Sequence, residues 1–175
     1  MRLNSKKIIN EKFIFNYSFF LIGISVFAQE ISKNALGLRL GSNNGFGGEI
    51  SYQRALGDNH RLELDLGWRD GKDYDGFKLT GLYQWVWPIE NRFNWFVGVG
   101  AGLANYDYNN GHNHSDNHNH HHDSDTFIFA AGNIGIEYNF KIPLLISLDF
   151  RPEFGFGDYD DDLDLDIALG LRYQF

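Results

Sequence analysis

Apolar and polar residues alternate with a period of two along most of the chain. The last segment shows the pattern most clearly, with Leu165, Ile167, Leu169, Leu171, Tyr173 and Phe175 at odd positions and mostly polar or small residues between them. Because successive side chains of a β-strand point to opposite faces, this alternation predicts a strand with one apolar face. Similar segments separated by turn residues predict eight strands in all. They are expected near residues 35–42, 46–56, 60–69, 77–87, 93–106, 126–140, 144–156 and 165–175.

The connections between the predicted strands alternate in length. The short ones are 57–59, 88–92 and 141–143, and the longer ones are 71–75, 107–125 and 157–164. The first connection, 42–45, is short although it belongs with the longer set. Short turns at one end and longer loops at the other are typical of transmembrane barrels, in which the short turns are periplasmic.

The size of the apolar set indicates which face of the strands points outward. A soluble lipocalin-type barrel would also alternate, but its apolar side chains would have to fit inside. The chain has roughly forty of them, whereas an eight-stranded barrel is only just wide enough for side chains to fill its interior. Soluble monomers do not normally expose an apolar surface of that size, so we expect the apolar face to contact lipid.

The polar face should then line the interior, where charged groups must pair because an unpaired buried charge is costly. We interpret this set as a structural ion network, with a small-solute pore as an alternative that normally requires more strands. The predicted cations are Arg39, Arg69, Lys78, Arg151 and Arg172, and the predicted anions are Glu49, Glu63, Asp65, Glu137, Asp149, Glu153 and Asp166. Pro152, inside the seventh strand, predicts a β-bulge.

Aromatic residues of the outward set are predicted to form two girdles, one at each membrane interface, where amphipathic rings are favoured. The periplasmic girdle would contain Tyr52, Trp85, Trp87, Phe93, Trp95, Tyr138, Phe140, Tyr173 and Phe175. The opposite girdle would contain Phe46, Trp68, Phe77, Phe154 and Phe156.

With this topology, these girdles and the terminal Leu171-Arg-Tyr-Gln-Phe175, the chain resembles the small outer-membrane barrels of the OmpA/OmpX type over residues 35–175. Gly170, Tyr173 and Phe175 match the C-terminal signal of such barrels, whereas Ala168 stands where a polar residue is usual. The resemblance implies an all-β, eight-stranded antiparallel up-and-down transmembrane β-barrel, monomeric, in the outer membrane of a Gram-negative bacterium. Its implied partners are outer-membrane lipid and, through those three residues, the outer-membrane assembly machinery.

The N-terminal segment has the organisation of a secretory signal peptide over residues 1–28. Arg2, Lys6, Lys7 and Lys12 precede an apolar run that ends at Val26-Phe27-Ala28, and residues 29–34 form a short lead into the barrel. The chain has no cysteine, which excludes disulfides and a cysteine-linked lipid anchor. The whole chain carries a net charge of −8, and the signal contributes four positive and one negative residue, which leaves −11 for the remainder. Such an acidic product is not expected to bind nucleic acid.

The connection 107–125 contains six of the seven histidines. Imidazole and carboxylate groups bind Zn(II), Ni(II) and Cu(II), so the loop is a candidate metal site, although its composition is equally that of an unstructured polar loop. The candidate ligands are His112, His114, Asp116, His118, His120, His121, His122 and Asp123. Charging of several histidines together would alternatively make the loop a pH sensor.

The seventh histidine, His60, falls in a predicted periplasmic turn, far from the outer rim where a fixed Ser-His-acid site would be expected. We therefore predict a protein that is not an enzyme and requires no cofactor. The predicted role is structural or surface-interacting, and divalent-metal binding or sensing through the histidine loop is the alternative.

Overall fold

A computed structural model describes residues 31–42, 47–69, 74–108, 124–156 and 163–175. The regular secondary structure of these ranges consists of eight β-strands. They are β1 (Asn34–Leu40), β2 (Gly48–Ala55), β3 (His60–Arg69), β4 (Tyr74–Glu90), β5 (Phe93–Tyr108), β6 (Ser124–Asn139), β7 (Leu144–Phe156) and β8 (Leu163–Gln174).

Each strand pairs with its neighbour in the chain, and β1 pairs with β8 to close the sheet into a barrel. All eight pairings are antiparallel. The predicted all-β, eight-stranded up-and-down barrel is therefore confirmed. The start of β1, the end of β8 and the short turns lie at one end, here called the terminal end, and the longer connections join strands at the opposite end, here called the loop end.

The strands are staggered by ten residues around the barrel. Leu36 pairs with Tyr173 across the seam between β1 and β8. When the paired residues are followed from Leu36 through β2 and the later strands to β8, they end at Leu163, ten residues before Tyr173. A stagger of this kind requires the strands to tilt by about 40° from the barrel axis. The path runs through Leu36, Tyr52, Leu64, Gly81, Ala101, Ala130, Phe154 and Leu163.

Pro88 lies within β4 and not in the turn predicted for residues 88–92. It pairs with Asn94, and the register shifts between Pro88 and Glu90 before the chain reverses at Asn91 and Arg92. Asn91 has a φ of 51°, a left-handed conformation that asparagine tolerates better than most residues. The shift lets the strand continue past proline to a two-residue turn, so the predicted boundary was wrong.

The bulge predicted at Pro152 is also wrong, because the register of β7 does not change there. On the β8 side Pro152 pairs with Leu165 in a continuous ladder, and on the β6 side the pairs Ala131–Glu153 and Ile134–Phe150 keep one register. The two rungs between them are missing, as expected where proline supplies no N–H donor. Gly132 faces the ring at that point, and a Cβ there would lie 3.6 Å from the Pro152 Cγ. The proline thus interrupts two rungs without inserting a residue.

Glycine is required at the seam between β1 and β8. A Cβ at Gly37 would meet the carbonyl oxygen of Leu171 and lie 2.6 Å from the Cα of Arg172, both backbone atoms of β8. These atoms cannot turn aside as a flexible side chain can. Close approach of the two strands that close the barrel therefore depends on the absence of a side chain at Gly37.

We expect Gly37→Ala to lower the free energy of unfolding by about 1–3 kcal/mol, the range typical of overpacking. Gly81→Ala is the matched control, because its Cβ would meet Leu64 at 3.5 Å, an ordinary contact. Urea unfolding of the refolded barrel, followed by tryptophan fluorescence, measures both. Equal stability of the two variants would contradict the steric role of Gly37.

Candidate functional site

Polar and charged side chains fill the inside of the barrel. Among the described residues, twenty buried side chains are polar or charged and nine are hydrophobic, the reverse of a soluble domain. They occupy the inward positions that the sequence alternation predicts. The interior is therefore the first candidate site, because buried charges concentrate there.

Arg151 on β7 is the centre of an ion network and is fully buried. Its guanidinium contacts Glu49 of β2 at 3.1 Å, Glu63 of β3 at 3.3 Å and Asp65 of β3. Arg172 of β8 adds a second contact to Glu63, at 3.3 Å, and donates to two serine hydroxyls, those of Ser51 and Ser147. Buried charges of this kind are stable only when paired and hydrogen-bonded.

Arg39 extends the network across the closing seam. From β1 it contacts Glu49 on β2 at 3.0 Å, Asp149 on β7 at 2.6 Å and Asp166 on β8 at 2.6 Å. One guanidinium thus binds the neighbouring strands on both sides of β1. Asp166 also accepts a hydrogen bond from the backbone N–H of Ser42, which ties the first hairpin to β8.

Lys78 carries the network toward the loop end. Its ammonium lies 2.6 Å from Glu153 and 4.0 Å from Glu49, and 5.3 Å from the centre of the Phe129 ring. Phe129 packs with Leu82, Ala104 and Ala131 in an apolar cluster that the alternation did not predict inside the barrel. This cluster fills the β4–β6 side of the interior, where the β5 glycines leave room.

Arg61 is a buried cation that the sequence analysis missed. It contacts Glu137 at 2.6 Å, donates to Gln84, and lies 4.8 Å from the centre of the Phe96 ring. Its position two residues before Glu63, on the polar side of β3, was the available signal. Of the predicted charged set, only the side chain of Arg69 lies outside the described residues.

The charged side chains at the centre of the barrel are closely packed. Arg39, Arg61, Arg151 and Arg172 are each at most 1% exposed. A continuous aqueous channel would expose the groups that line it. Over the part of the chain that the structure describes, the packed network therefore argues against an open pore.

We expect Arg151→Met to lower the free energy of unfolding by about 3–5 kcal/mol, because it leaves the buried Asp65 without its cation and takes one of their cations from Glu49 and Glu63. Adding Asp65→Asn should recover part of the loss, since one uncompensated charge is then removed. Arg54→Met, at an exposed position, should change stability by less than about 0.5 kcal/mol. Urea unfolding of all four proteins tests the network, and equal losses for Arg151→Met and Arg54→Met would contradict it.

The outer surface is the reverse of the interior. Thirty large hydrophobic side chains are exposed among the described residues. Aromatic side chains form a band at the terminal end, with ring-centre distances of 4.6 Å for Trp87–Trp95, 4.7 Å for Phe93–Tyr138 and 4.8 Å for Tyr138–Phe140. A second band contains Trp68, Phe77, Phe154 and Phe156, all exposed. Phe46, predicted for this band, lies outside the described residues.

The distance between the two bands suits a lipid bilayer. Phe77 precedes Trp85 and Trp87 by eight and ten residues along β4. At the rise of a tilted strand this corresponds to about 20–25 Å along the barrel axis, close to the apolar band of transmembrane barrels. Leucine, isoleucine and valine occupy most outward positions between the bands.

The three residues of the predicted C-terminal signal occupy two different environments. Tyr173 and Phe175 are exposed on the outer surface, with ring centres 6.3 Å apart. Gly170 faces the interior, where a Cβ would collide with the Ser147 Oγ and the Arg172 Nη1. Gly170 thus has a packing role, because it makes room for the hydrogen bond between Arg172 and Ser147.

The predicted metal ligands all lie outside the described residues, as does the predicted signal peptide. Pairing of β5 with β6 continues to Asp107–Ser124, so the two ends of the histidine loop are held side by side. Elsewhere in the described ranges there is no group of three His, Cys, Asp or Glu residues able to hold a metal. No helix in those ranges is long and apolar enough to cross a membrane.

No protein-family model matches the chain, and no curated protein matches its sequence. Solved structures do match. The N-terminal β-barrel domain of Pseudomonas aeruginosa OprF is 15% identical with a TM-score of 0.57, and covers 83% of this chain and 100% of its own. Neisserial surface protein A is 12% identical with a TM-score of 0.58, over 81% and 94% of the two chains. Ail, the attachment invasion locus protein of Yersinia pestis, is 16% identical with a TM-score of 0.53, over 82% and 97%.

The protein has the fold of the small outer-membrane β-barrels. The resemblance to the OmpA/OmpX type is confirmed at the level of the fold, in its closed wall of eight strands. A designed transmembrane β-barrel also matches, 12% identical with a TM-score of 0.50, so the likeness follows from the architecture more than from a shared sequence.

Proposed function

We propose that the protein is an integral outer-membrane barrel with a structural or surface-interaction role and no catalytic activity. One observation carries the proposal: in the described ranges, thirty large hydrophobic side chains are exposed, with an aromatic band at each end, around an interior filled with paired charges. This apolar surface is far larger than the apolar patches that soluble monomers expose to water. In lipid it is the expected exterior.

The closed wall supports the same proposal. A bilayer core offers no water to the backbone, so only helices and closed barrels can cross it. Here β1 pairs with β8 from Ala35–Gln174 to Leu40–Leu169. This pairing closes the sheet, so the wall has no free strand edge at the seam. The fold similarity to known outer-membrane barrels adds independent support.

We place the terminal end in the periplasm and the loop end at the cell surface, following the arrangement of turns in bacterial barrels. The matched structures include a protein named as a surface protein and one named for attachment and invasion. We take this as support for a role of the loops in surface contacts. We propose that the barrel acts as a monomer and that Tyr173 and Phe175 contact the assembly machinery during insertion.

The absence of catalysis rests on the surroundings of His60. It lies at the start of β3 at the terminal end, with its ring 5.7 Å from that of Tyr83. Its Nδ1 is buried and has no hydrogen-bond partner among the described residues. In the described part of the chain, no carboxylate therefore accepts a hydrogen bond from this Nδ1, the contact that orients the general base of a catalytic triad.

We expect the refolded protein to need detergent or lipid for solubility and to migrate faster on gels before boiling than after it. The reason is that paired strands and the buried network keep the barrel compact in detergent. Gel mobility with and without heating, together with sedimentation without detergent, measures this. A soluble protein with heat-independent mobility would contradict the membrane assignment.

A second candidate function is divalent-metal binding by the loop that contains His112, His114, Asp116, His118, His120, His121, His122 and Asp123. The observation that favours metal binding concerns the loop and the two strands that hold it. Six histidines lie within eleven residues, and the pair Asp107–Ser124 keeps the two ends of the loop together. Zn(II), Ni(II) and Cu(II) are the ions that this donor set suits.

Calorimetric titration with Zn(II) tests the metal hypothesis. We expect binding by the full chain at pH 7.5, weaker binding at pH 5.5 because the imidazoles are then protonated, and almost none after deletion of residues 112–122. His60→Gln is the matched control and should bind like the full chain. Unchanged affinity after the deletion would reject the loop as the ligand.

A further inference from the structure

The terminal end of the barrel carries four pairs of one cation and one exposed apolar residue. Each of the three short turns has such a pair, and the place where the start of β1 meets the end of β8 supplies the fourth. The apolar members, Leu56, Ile89, Ile142 and Phe175, are 53–61% exposed. Their cationic neighbours are Arg54, Arg92, Lys141 and Lys33. We call this set the terminal collar.

The collar contains every exposed or half-buried Lys and Arg whose side chain the structure describes. The other described cations, Arg39, Arg61, Lys78, Arg151 and Arg172, are buried in the interior network. The segments between strands at the loop end are instead rich in aspartate, with Asp158, Asp160, Asp161 and Asp162 in one of them. Among the side chains that the structure describes, the surface cations are thus confined to one end of the barrel.

Two of the collar cations share one groove. Lys33 and Lys141 line it together with Ser32, Ile142, Pro143 and Phe175. Neither lysine has an ion-pair partner among the described residues. By contrast, Arg54 donates to Asn34 at 3.0 Å and Arg92 to the Asn139 carbonyl at 3.1 Å. The groove therefore combines two uncommitted ammonium groups with an apolar wall.

The groove lies where lipid headgroups would be. Phe175 belongs to both the groove and the aromatic band of the terminal end, whose rings mark a membrane interface. A ligand here would meet ammonium groups on its polar side and Phe175 and Ile142 on its apolar side. Glycerophospholipids have this distribution of polar phosphate and apolar chain, and an anionic headgroup complements the two lysines.

We propose that the terminal collar binds anionic glycerophospholipids, with the phosphate between Lys33 and Lys141 and the acyl chains along Phe175 and Ile142. The inference rests on the proposed membrane function. It adds that the periplasmic end of the barrel selects lipids by headgroup charge. It also gives the collar a role in fixing the depth of the barrel in the bilayer.

Native mass spectrometry of the barrel released from mixed micelles tests the proposal, with phosphatidylglycerol and phosphatidylcholine offered in equal amounts. We expect several-fold greater retention of phosphatidylglycerol by the unmodified chain. The double variant Lys33→Gln, Lys141→Gln should lose most of that preference. The double variant Asp58→Asn, Glu90→Gln is the matched control, because it removes two exposed acids of the same end, and it should keep or increase the preference.

Inorganic phosphate at millimolar concentration separates a lipid site from a simple anion site. Retained phosphatidylglycerol should resist it, because the apolar contacts are absent for the free ion. Equal retention of both lipids, an unchanged preference in the lysine variant, or displacement by phosphate would overturn the proposal. Heat-dependent gel mobility of every variant reports folding, so a barrel that inserts but shows no preference rejects this inference alone.

Discussion

Charge pairing inside a narrow closed wall is the constraint on which the rest of the structure depends. Arg151, Arg39 and Arg172 can be buried only because carboxylates on β2, β3, β7 and β8 approach them. The wall in turn can expose its leucines and aromatics only because the polar side chains have been taken inside. Removing one guanidinium would affect both, since a buried carboxylate that loses its cation is costly.

The glycines and the unexpected apolar residues of the interior follow from the same constraint. Long charged side chains do not fill a barrel evenly, so small and apolar groups occupy what remains. Gly98 illustrates this, because a Cβ there would lie 2.5 Å from the Asn133 Oδ1 and 2.8 Å from the Gln84 Cγ. On the same side, Phe129 fills the space above Ala131 and Leu82 and supports the Lys78 ammonium.

Most of the fold could be predicted from the sequence, because a strand period of two assigns each residue to one of two faces. The alternation from Leu165 to Phe175 gave the correct faces throughout β8. It could not predict that Phe96 or Phe129 lies inside, since hydrophobicity was taken as the mark of the outer face.

The two prolines were misjudged for another reason. Local rules treat Pro88 as a boundary and Pro152 as a bulge, whereas the pairs Pro88–Asn94 and Pro152–Leu165 keep each proline within its strand. Candidate sites in the histidine loop depend on composition alone, and no strand register constrains them.

Arg39 also links the first strand to strands that lie far along the chain. Its carboxylate partners on β7 and β8 are 110 and 127 residues further along the chain. Bringing such distant segments together has a large entropic cost before any contact is gained, which makes folding slow and cooperative. Before β7 and β8 join the sheet, Arg39 lacks its partners Asp149 and Asp166, and one edge of β1 is unpaired. Arg39 can therefore reach all three of its carboxylates only when β7 and β8 have joined the sheet.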